Sequence, residues 1–348
     1  MPSTESTPVT RVRKTPLAGI YLFEWIALAS LAAVAVFAIA APVSTEYTLL
    51  ARLTLRRMTL VALASIAAIL VVKLVGAVSS PDGWRRSLAT SELATRRFWT
   101  DFLRIMAAFS ISQTAHMTFK VYIPVINPQN YDGLFYRLDR ALFAGHDPVA
   151  AILGIISAPA VLRAFDVLYS GLYFFLLWGG VVVSFAFLER ERRTTFFSSF
   201  VAMWQLGLLL YVLLPSWGPV FTNPELFEET LQHFPLTVMV QSGLYQETAA
   251  IVQGQYNVVI HFFGLAAFPS LHVAVFVLYA LWARGIHRAW FYWNLLVLVL
   301  IFIGSMLTGY HYLVDGLGGA LVAACGYIVA KRYARLSEPP PQDLGSRS

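Results

Sequence analysis

The sequence predicts an all-α fold, a polytopic membrane helical bundle of about eight transmembrane helices. Three observations lead there. Of 348 residues, 58% are hydrophobic and only 13% are charged, against about 25% charged in a soluble domain. Eight segments stay apolar over the roughly 17–25 residues that a helix needs to cross hydrocarbon. They lie near 18–42, 58–78, 101–119, 160–187, 195–214, 268–284, 289–308 and 312–331. The basic residues gather in alternate connections, as expected of a chain threaded back and forth through a bilayer.

Arg11, Arg13 and Lys14 precede an apolar run from Leu17 to Val43 that only Glu24 interrupts. That run exceeds the roughly 7–15 apolar residues of a cleavable signal, so it reads as a spanning helix. Glu24 reads as a snorkelling or helix-paired carboxylate. Lys73 interrupts the second span, and Asp101 and Arg104 mark the start of the third. One side of the threading collects Arg85, Arg86, Arg96, Arg97, the string "ERERR" at 189–193, Arg284, Arg288, Lys331, Arg332 and Arg335. The connection 215–267 holds no Lys or Arg. Both termini are therefore expected in the cytoplasm, with Arg52, Arg56 and Arg57 counting against this. The net charge of +6 then needs no nucleic-acid partner. Cys325 can form no intrachain disulfide, being the only cysteine, and reads as a small core residue.

The connections 120–159 and 215–267 are too long for plain turns. "PVAAILGIISAPA" at 148–160 predicts a short helix in the interface, and "NPELFEETLQHF" at 223–234 predicts another. The tail "LSEPPPQDLGSRS" is Pro-rich and polar, and is expected to be disordered.

Two polar islands interrupt the last three spans: "GLAAFPSLHVAVFVL" at 264–278 and "TGYHYLVDGLGG" at 308–319. An Asp at the centre of a membrane helix costs roughly 2.5–3.5 kcal/mol, so Asp315 marks an interface, a wet cavity or chemistry. Pro269 suits the first turn of a helix. The free N–H groups around Ser270 would then make an anion site, with His272 in the same turn. His272 and His311 are separated by two helices of spanning length, which brings them to one depth. His311 and Asp315, four apart, share a helix face. One imidazole nitrogen can bond to the carboxylate, leaving the other free as a nucleophile or base.

At these residues the sequence resembles a known family. "FPSLHV" and "GYHYLVDGLGG" are similar to the second and third signature motifs of the type-2 phosphatidic-acid-phosphatase superfamily. The resemblance is closest to its inositol phosphorylceramide synthase branch. It implies a phosphatase-superfamily core in the C-terminal half of the bundle. It further implies a phosphohistidine mechanism, with His311 as nucleophile, Asp315 as its orienting partner and His272 as general acid, and no metal or other cofactor. The phosphatase branch carries Ser-Arg ahead of the third-motif histidine, whereas Gly304, Ser305 and Met306 stand here with no arginine. The synthase branch tends to lack it too, which favours a transferase.

The first phosphatase motif has no counterpart. "FKVYIPVINPQNYDGLFYRLDRALFAGHDPV" at 119–149 resembles a stretch of bacterial relatives of the synthase. Lys120 then holds a phosphate oxygen beside Ser270, or is a lysine snorkelling at the outer end of the third span. Arg137, Asp139 and Arg140 read as a solvated or mutually paired cluster, and Arg163 with Asp166 as an ion pair along one helix. "LLPSWGPVF" at 213–221 ends a helix and shapes the pocket rim, while His116, His146 and His261 find no supporting neighbours. The expected organisation is a cytoplasmic segment 1–15, accessory helices 16–100, a catalytic membrane domain 101–333 and a tail 334–348. The resemblance implies membrane lipids as substrates, a phospholipid head-group phosphate passing to a lipid alcohol such as a ceramide. The active site is expected on the extracytoplasmic or lumenal face. A lipid phosphate or polyprenyl diphosphate phosphatase with the same residues is the alternative, and a transporter or binding protein is the third reading.

Overall fold

A computed structural model describes residues 19–40, 47–78, 92–255 and 265–337, and among these no strand occurs. In chain order the principal helices are α1 (Leu22–Ala40), α2 (Tyr47–Val78), α3 (Arg96–Val121), α4 (Asp132–Leu142) and α5 (Pro148–Ile155). They continue with α6 (Pro159–Phe187), α7 (Arg190–Leu213), α8 (Pro235–Val252), α9 (Leu271–Ala283), α10 (Arg288–Leu307) and α11 (Leu313–Ser337). A helix stands at each of the eight expected spans. Among the described residues six are long and apolar enough to cross a membrane: α1, α2, α6, α7, α10 and α11. The other two depart for different reasons. α3 has the length, but Arg96, Arg97, Asp101 and Arg104 load its first turns with charge. α9 is apolar but has only 13 residues.

The surface is apolar where lipid would lie. Leu28, Leu31, Val36, Leu55, Leu60, Leu63 and Val71 on α1 and α2 all point outward and exposed, the arrangement of a helix whose solvent is hydrocarbon. Inside, α7 is the most buried of the six. Phe197 and Phe200 on it lie against Phe109 of α3, and Phe197 also against Phe185 of α6. The Phe185 and Phe197 ring centroids are 4.5 Å apart.

Ion pairs fasten one end of the bundle. Glu24 binds Arg104, as the reading of Glu24 as a helix-paired carboxylate expected, and Asp101 binds Arg190. Arg193 Nη2 meets Glu92 Oε2 at 2.6 Å. The Tyr333 hydroxyl near the end of α11 donates to the Ile20 carbonyl at 2.8 Å. The starts of α2, α6, α9 and α11 all lie at the opposite end, and the long connections belong to that end too. There "PVAAILGIISAPA" forms α5 as a short helix, and 223–234 carries short helical turns at Pro224–Leu226 and Glu228–Leu231.

Two pairings differ from expectation, and one residue faces the other way. Arg163 is exposed and forms no pair with Asp166, which is buried. Asp166 instead accepts from the backbone N–H groups of Leu236 and Thr237, at 2.9 and 2.8 Å, and from the Thr237 hydroxyl at 2.7 Å. Pro235 opens α8, so those N–H groups have no intrahelical acceptor. Aligned donors in an apolar setting hold the carboxylate better than an exposed guanidinium does. Asp139 is likewise buried and apart from Arg137 and Arg140; its partners belong to the site described below. Cys325 is exposed on α11, because the neighbouring Gly326 is what faces inward.

That glycine permits a close approach. A Cβ on Gly326 would lie 2.8 Å from Met203 N and 2.9 Å from Ser199 O, and one on Gly319 would lie 2.2 Å from Ser270 O. Small residues let membrane helices meet backbone to backbone, and here they seat α11 on α7 and on the start of α9. Gly319→Ala is therefore expected to lower stability by about 1–3 kcal/mol, the usual cost of overpacking. Gly179→Ala, where a Cβ meets nothing within 4 Å, is the control and is expected to lose nothing. Thermal unfolding of both variants in detergent checks the pair; equal melting temperatures would contradict the contact.

Candidate active site

The start of α9 supplies the first histidine. Ser270 caps this helix, its hydroxyl accepting from Val273 N at 3.4 Å, which fits a serine placed before a helical run. Its own N–H donates to the Asp315 carbonyl at 2.8 Å. This bond and the missing side chain at Gly319 fix the start of α9 against the start of α11. His272 then stands one residue into α9, opposite His311.

His311 lies in the short non-helical step between α10 and α11. The Ser305 carbonyl accepts both the Tyr310 and His311 N–H groups, each at 3.1 Å, which turns the chain sharply at the end of α10. His311 Nδ1 lies 3.3 Å from Asp315 Oδ2, and the same oxygen accepts from Tyr312 N at 2.9 Å. His311 Nε2 faces His272 Nδ1 at 3.3 Å. The structure thus brings His272, His311 and Asp315 together in one line. Asp315 is wholly buried, and its Oδ1 has no hydrogen-bond partner.

A platform that the sequence did not reveal holds this line in place. On α4, Asp132, Phe135 and Asp139 are the buried residues, spaced three and four apart on one face. The Asp139 carboxylate accepts from Leu313 N and Val314 N, both at 2.8 Å, and so caps α11 from a distance. Asp132 accepts from Trp217 N and Gly218 N at 2.8 and 2.9 Å. Phe135 stacks on Phe268 at 4.5 Å. Burial pushes the Asp139 carboxyl up to about 6 while the two N–H bonds pull it down. Burial raises Asp132 as well, against its bonds from Trp217 and Gly218. The helical spacing of two acids around a phenylalanine was the available signal. It is hidden by the arginines that alternate with it in sequence.

Both imidazoles open onto a cavity of about 360 Å³. Tyr169, Tyr173, Leu177, Trp178, Trp204, Tyr211, Trp217 and Leu244 give it aromatic and apolar walls. Lys120 lines it from the last turn of α3, with Nζ 5.5 Å from the Tyr211 ring centroid. Arg57 reaches it from α2 and His116 from α3, and no Asp or Glu is among its lining residues. Ser270 is buried and outside the lining, its hydroxyl engaged in the cap. Trp217, from the stretch expected at the rim, does line it. Sequence reasoning leaves His116 structural and gives no site role to Tyr169, Trp204 or Arg57, since none has a neighbour in sequence that marks it; all four line the cavity. His261 falls outside the described residues.

Tyr169 and Tyr173 reach His272 from a local break in α6. Residues Val167–Leu172 form a π-helical turn, a feature often found at functional sites. The Tyr173 ring centroid lies 4.2 Å from that of His272, and the Tyr169 centroid 5.0 Å. The extra residue in the turn swings both rings onto the histidine.

The site can therefore receive an anion between two imidazoles, with two cations in the same cavity and a buried carboxylate behind one ring. Comparison with known proteins agrees with this chemistry. The family description of the PAP2 superfamily matches residues 134–329, which span α4 to α11 and contain the histidines and Asp315. No curated protein and no solved structure matches the chain. More than half of the sequence lies in that match, so the chain belongs to the PAP2 superfamily and is a membrane phosphatase or phosphotransferase of that kind.

Proposed function

We propose that the protein is a lipid phosphotransferase that works through a phosphohistidine, similar to an inositol phosphorylceramide synthase. The observation that carries this reading is the His272–His311–Asp315 line set in a largely apolar cavity. With Nδ1–H given to Asp315, the His311 Nε2 lone pair faces the cavity. It attacks the phosphorus of a bound phospholipid, forming an N–P bond as the P–O bond to the leaving alcohol breaks. His272 gives that oxygen its proton. His272 Nδ1 and His311 Nε2 lie 3.3 Å apart, so the phosphoryl group must replace that contact and pass between the rings. The attack leaves His311 as a cation, and the unpartnered Asp315 Oδ1 adds charge that opposes it. A lipid alcohol then returns a proton to His272, and its oxygen displaces His311 from phosphorus.

Lys120, with Arg57 beside it in the lining, offsets charge on the phosphate oxygens. Ser270 serves through the helix start that it caps. Apolar walls favour an alcohol arriving from the membrane over water, and exclusion of water is what separates transfer from hydrolysis. The ion-paired end of the bundle then faces the cytoplasm and the site faces the extracytoplasmic or lumenal side, where the connection without basic residues belongs.

Incubation of the purified protein with head-group-labelled phospholipid and a ceramide tests the reading. The label is expected to move onto the ceramide. His311→Ala is expected to lose on the order of 10³–10⁶-fold in rate, as nucleophile removal does elsewhere. Label released only to water would make the enzyme a hydrolase, and an active His311→Ala would exclude the phosphohistidine.

Asp315→Asn keeps the shape and removes the charge behind the imidazole. A loss on the order of 10⁴-fold in kcat is expected, the size seen when a His–Asp pair is neutralised in this way. A change below about tenfold would leave Asp315 only its bond to Tyr312 N.

His272→Ala separates the steps. With a phospholipid the leaving alkoxide needs a proton, so general acid catalysis worth about 10²–10⁴-fold is lost. An aryl phosphodiester leaves as a phenolate and is expected to recover most of that rate. His311→Ala is expected to recover none of it. Equal defects of His272→Ala on both donors would assign His272 to binding.

A further inference from the structure

The cavity wall beside the histidine pair holds a hydrogen-bond donor that the reacting line does not use. Tyr169 is 3% exposed, and its hydroxyl is buried without a hydrogen-bond partner. Buried polar atoms in folded proteins are nearly always satisfied, so an orphan in a cavity wall marks a place for a ligand atom. His116 Nδ1 and Trp204 Nε1 are orphans of the same cavity, but Tyr169 is the one that packs on the reacting line. Its ring centroid lies 5.0 Å from that of His272 and 5.5 Å from that of Tyr310, the residue before His311. Asp315, behind His311, is near enough to act by its charge on the Tyr169 hydroxyl. The backbone brings the phenol there. Tyr169 sits in the π-helical turn Val167–Leu172, whose wider spacing moves side chains out of the α-helical register. Gly304 lets α6 approach α10 closely at this level, since a Cβ on it would lie 3.5 Å from Tyr169 Cβ and 3.2 Å from Phe165 Cδ1.

We propose that Tyr169 is a further catalytic residue, whose hydroxyl donates a hydrogen bond to a nonbridging oxygen of the phosphoryl group as that group passes between His272 and His311. This rests on the phosphotransferase reading and adds a residue to it. A phenol ordinarily keeps its proton up to a pH of about 10, so Tyr169 donates the bond and transfers no proton. In phosphoryl transfer the transition-state charge spreads over the oxygens that are neither attacking nor leaving. A donor already fixed in an apolar wall meets that charge without reorganising, which is where such donors are worth most. Lys120 and Arg57 reach the cavity from α3 and α2, and the end of α10 brings Gly304, Ser305 and Met306 with no arginine. Tyr169 supplies a donor from α6, on the flank formed by His272 and Tyr310. The bond strengthens as charge develops, so its loss falls on kcat more than on KM.

Tyr169→Phe keeps the ring and removes only the hydroxyl. Donor consumption by the full chain in dodecylmaltoside micelles is measured with the head-group-labelled phospholipid of the transfer assay. It is measured again with the two phosphorothioate diastereomers of that lipid, in which sulfur replaces one or the other nonbridging oxygen. Sulfur is a weak hydrogen-bond acceptor, so the wild type is expected to consume the diastereomer with sulfur opposite Tyr169 about tenfold more slowly than the other. Tyr169→Phe is expected to lose about 10²–10³-fold in kcat on the all-oxygen donor, the cost of removing one such donor elsewhere, with little change in KM. Its diastereomer ratio is expected to fall toward unity, because the bond that sulfur weakens is already gone. The ratio is taken within one preparation, so it does not depend on how much of the variant is folded. An unchanged kcat, a loss confined to KM, or a lower kcat with the wild-type ratio would overturn the role. The last of these would leave Tyr169 a packing residue of the π-helical turn. Consumption counts transfer and hydrolysis alike. Label released to water with a ratio that still depends on Tyr169 would therefore overturn the transferase reading and leave the catalytic role of Tyr169 standing.

Discussion

Helices that start inside an apolar bundle carry backbone N–H groups that nothing in their own helix can satisfy, and this structure answers them with distant carboxylates. Asp139 holds the first N–H groups of α11, Asp166 those of α8, and Asp132 those of the loop at Trp217. A buried N–H left unpaired costs about 1–3 kcal/mol, and a buried carboxylate left unpaired costs more. Each resolves the other, but only at one relative position of two segments far apart in sequence. His311 inherits its place from that condition. It precedes α11 by two residues, and its neighbour Tyr312 is tied by its hydroxyl to Thr222 at 2.8 Å.

The helical class and the place of each of the eight helices could be read from the chain, because apolar length is a one-dimensional property, although only six of them are long and apolar enough to cross a membrane. The meeting of His272, His311 and Asp315 could also be read, since His311 and Asp315 lie four apart and the hairpin of α9 and α10 returns the chain from His272 to the same depth. Asp139 and Asp166 could not. Each had a basic residue close by in sequence, Arg140 and Arg163, and local pairing was the natural expectation. The real partners are 174 residues away for Asp139 and 70 for Asp166, and they are backbone atoms that no residue type announces. The place of His116 and Trp204 in the cavity wall could not be read for a related reason. Membership of a cavity wall depends on how α3 and α7 face each other, and periodicity alone does not give that.

Division of labour follows the chain. The stretch shared with the PAP2 superfamily carries both histidines, Asp315, and Phe135 and Asp139 of the α4 platform. Arg57, Gln113, His116 and Lys120 come from α2 and α3, ahead of it, and yet they line the same space. The cavity is therefore complete only when the early helices are assembled on the shared core. Contacts of α2 with α6, and of α3 with α7, make that assembly.

The 13 residues of α9 rise only about 20 Å, against a hydrocarbon layer of about 30 Å. If its far end reaches one surface, the end bearing His272 falls about 10 Å short of the other. On the proposed reading, a lipid phosphate descends below the plane of its neighbours to meet His311, or the bilayer thins around the protein to bring that plane down. Thinning costs a fraction of a kcal/mol per ångström of mismatch. The thickness of the surrounding membrane would then enter the energetics of the proposed reaction.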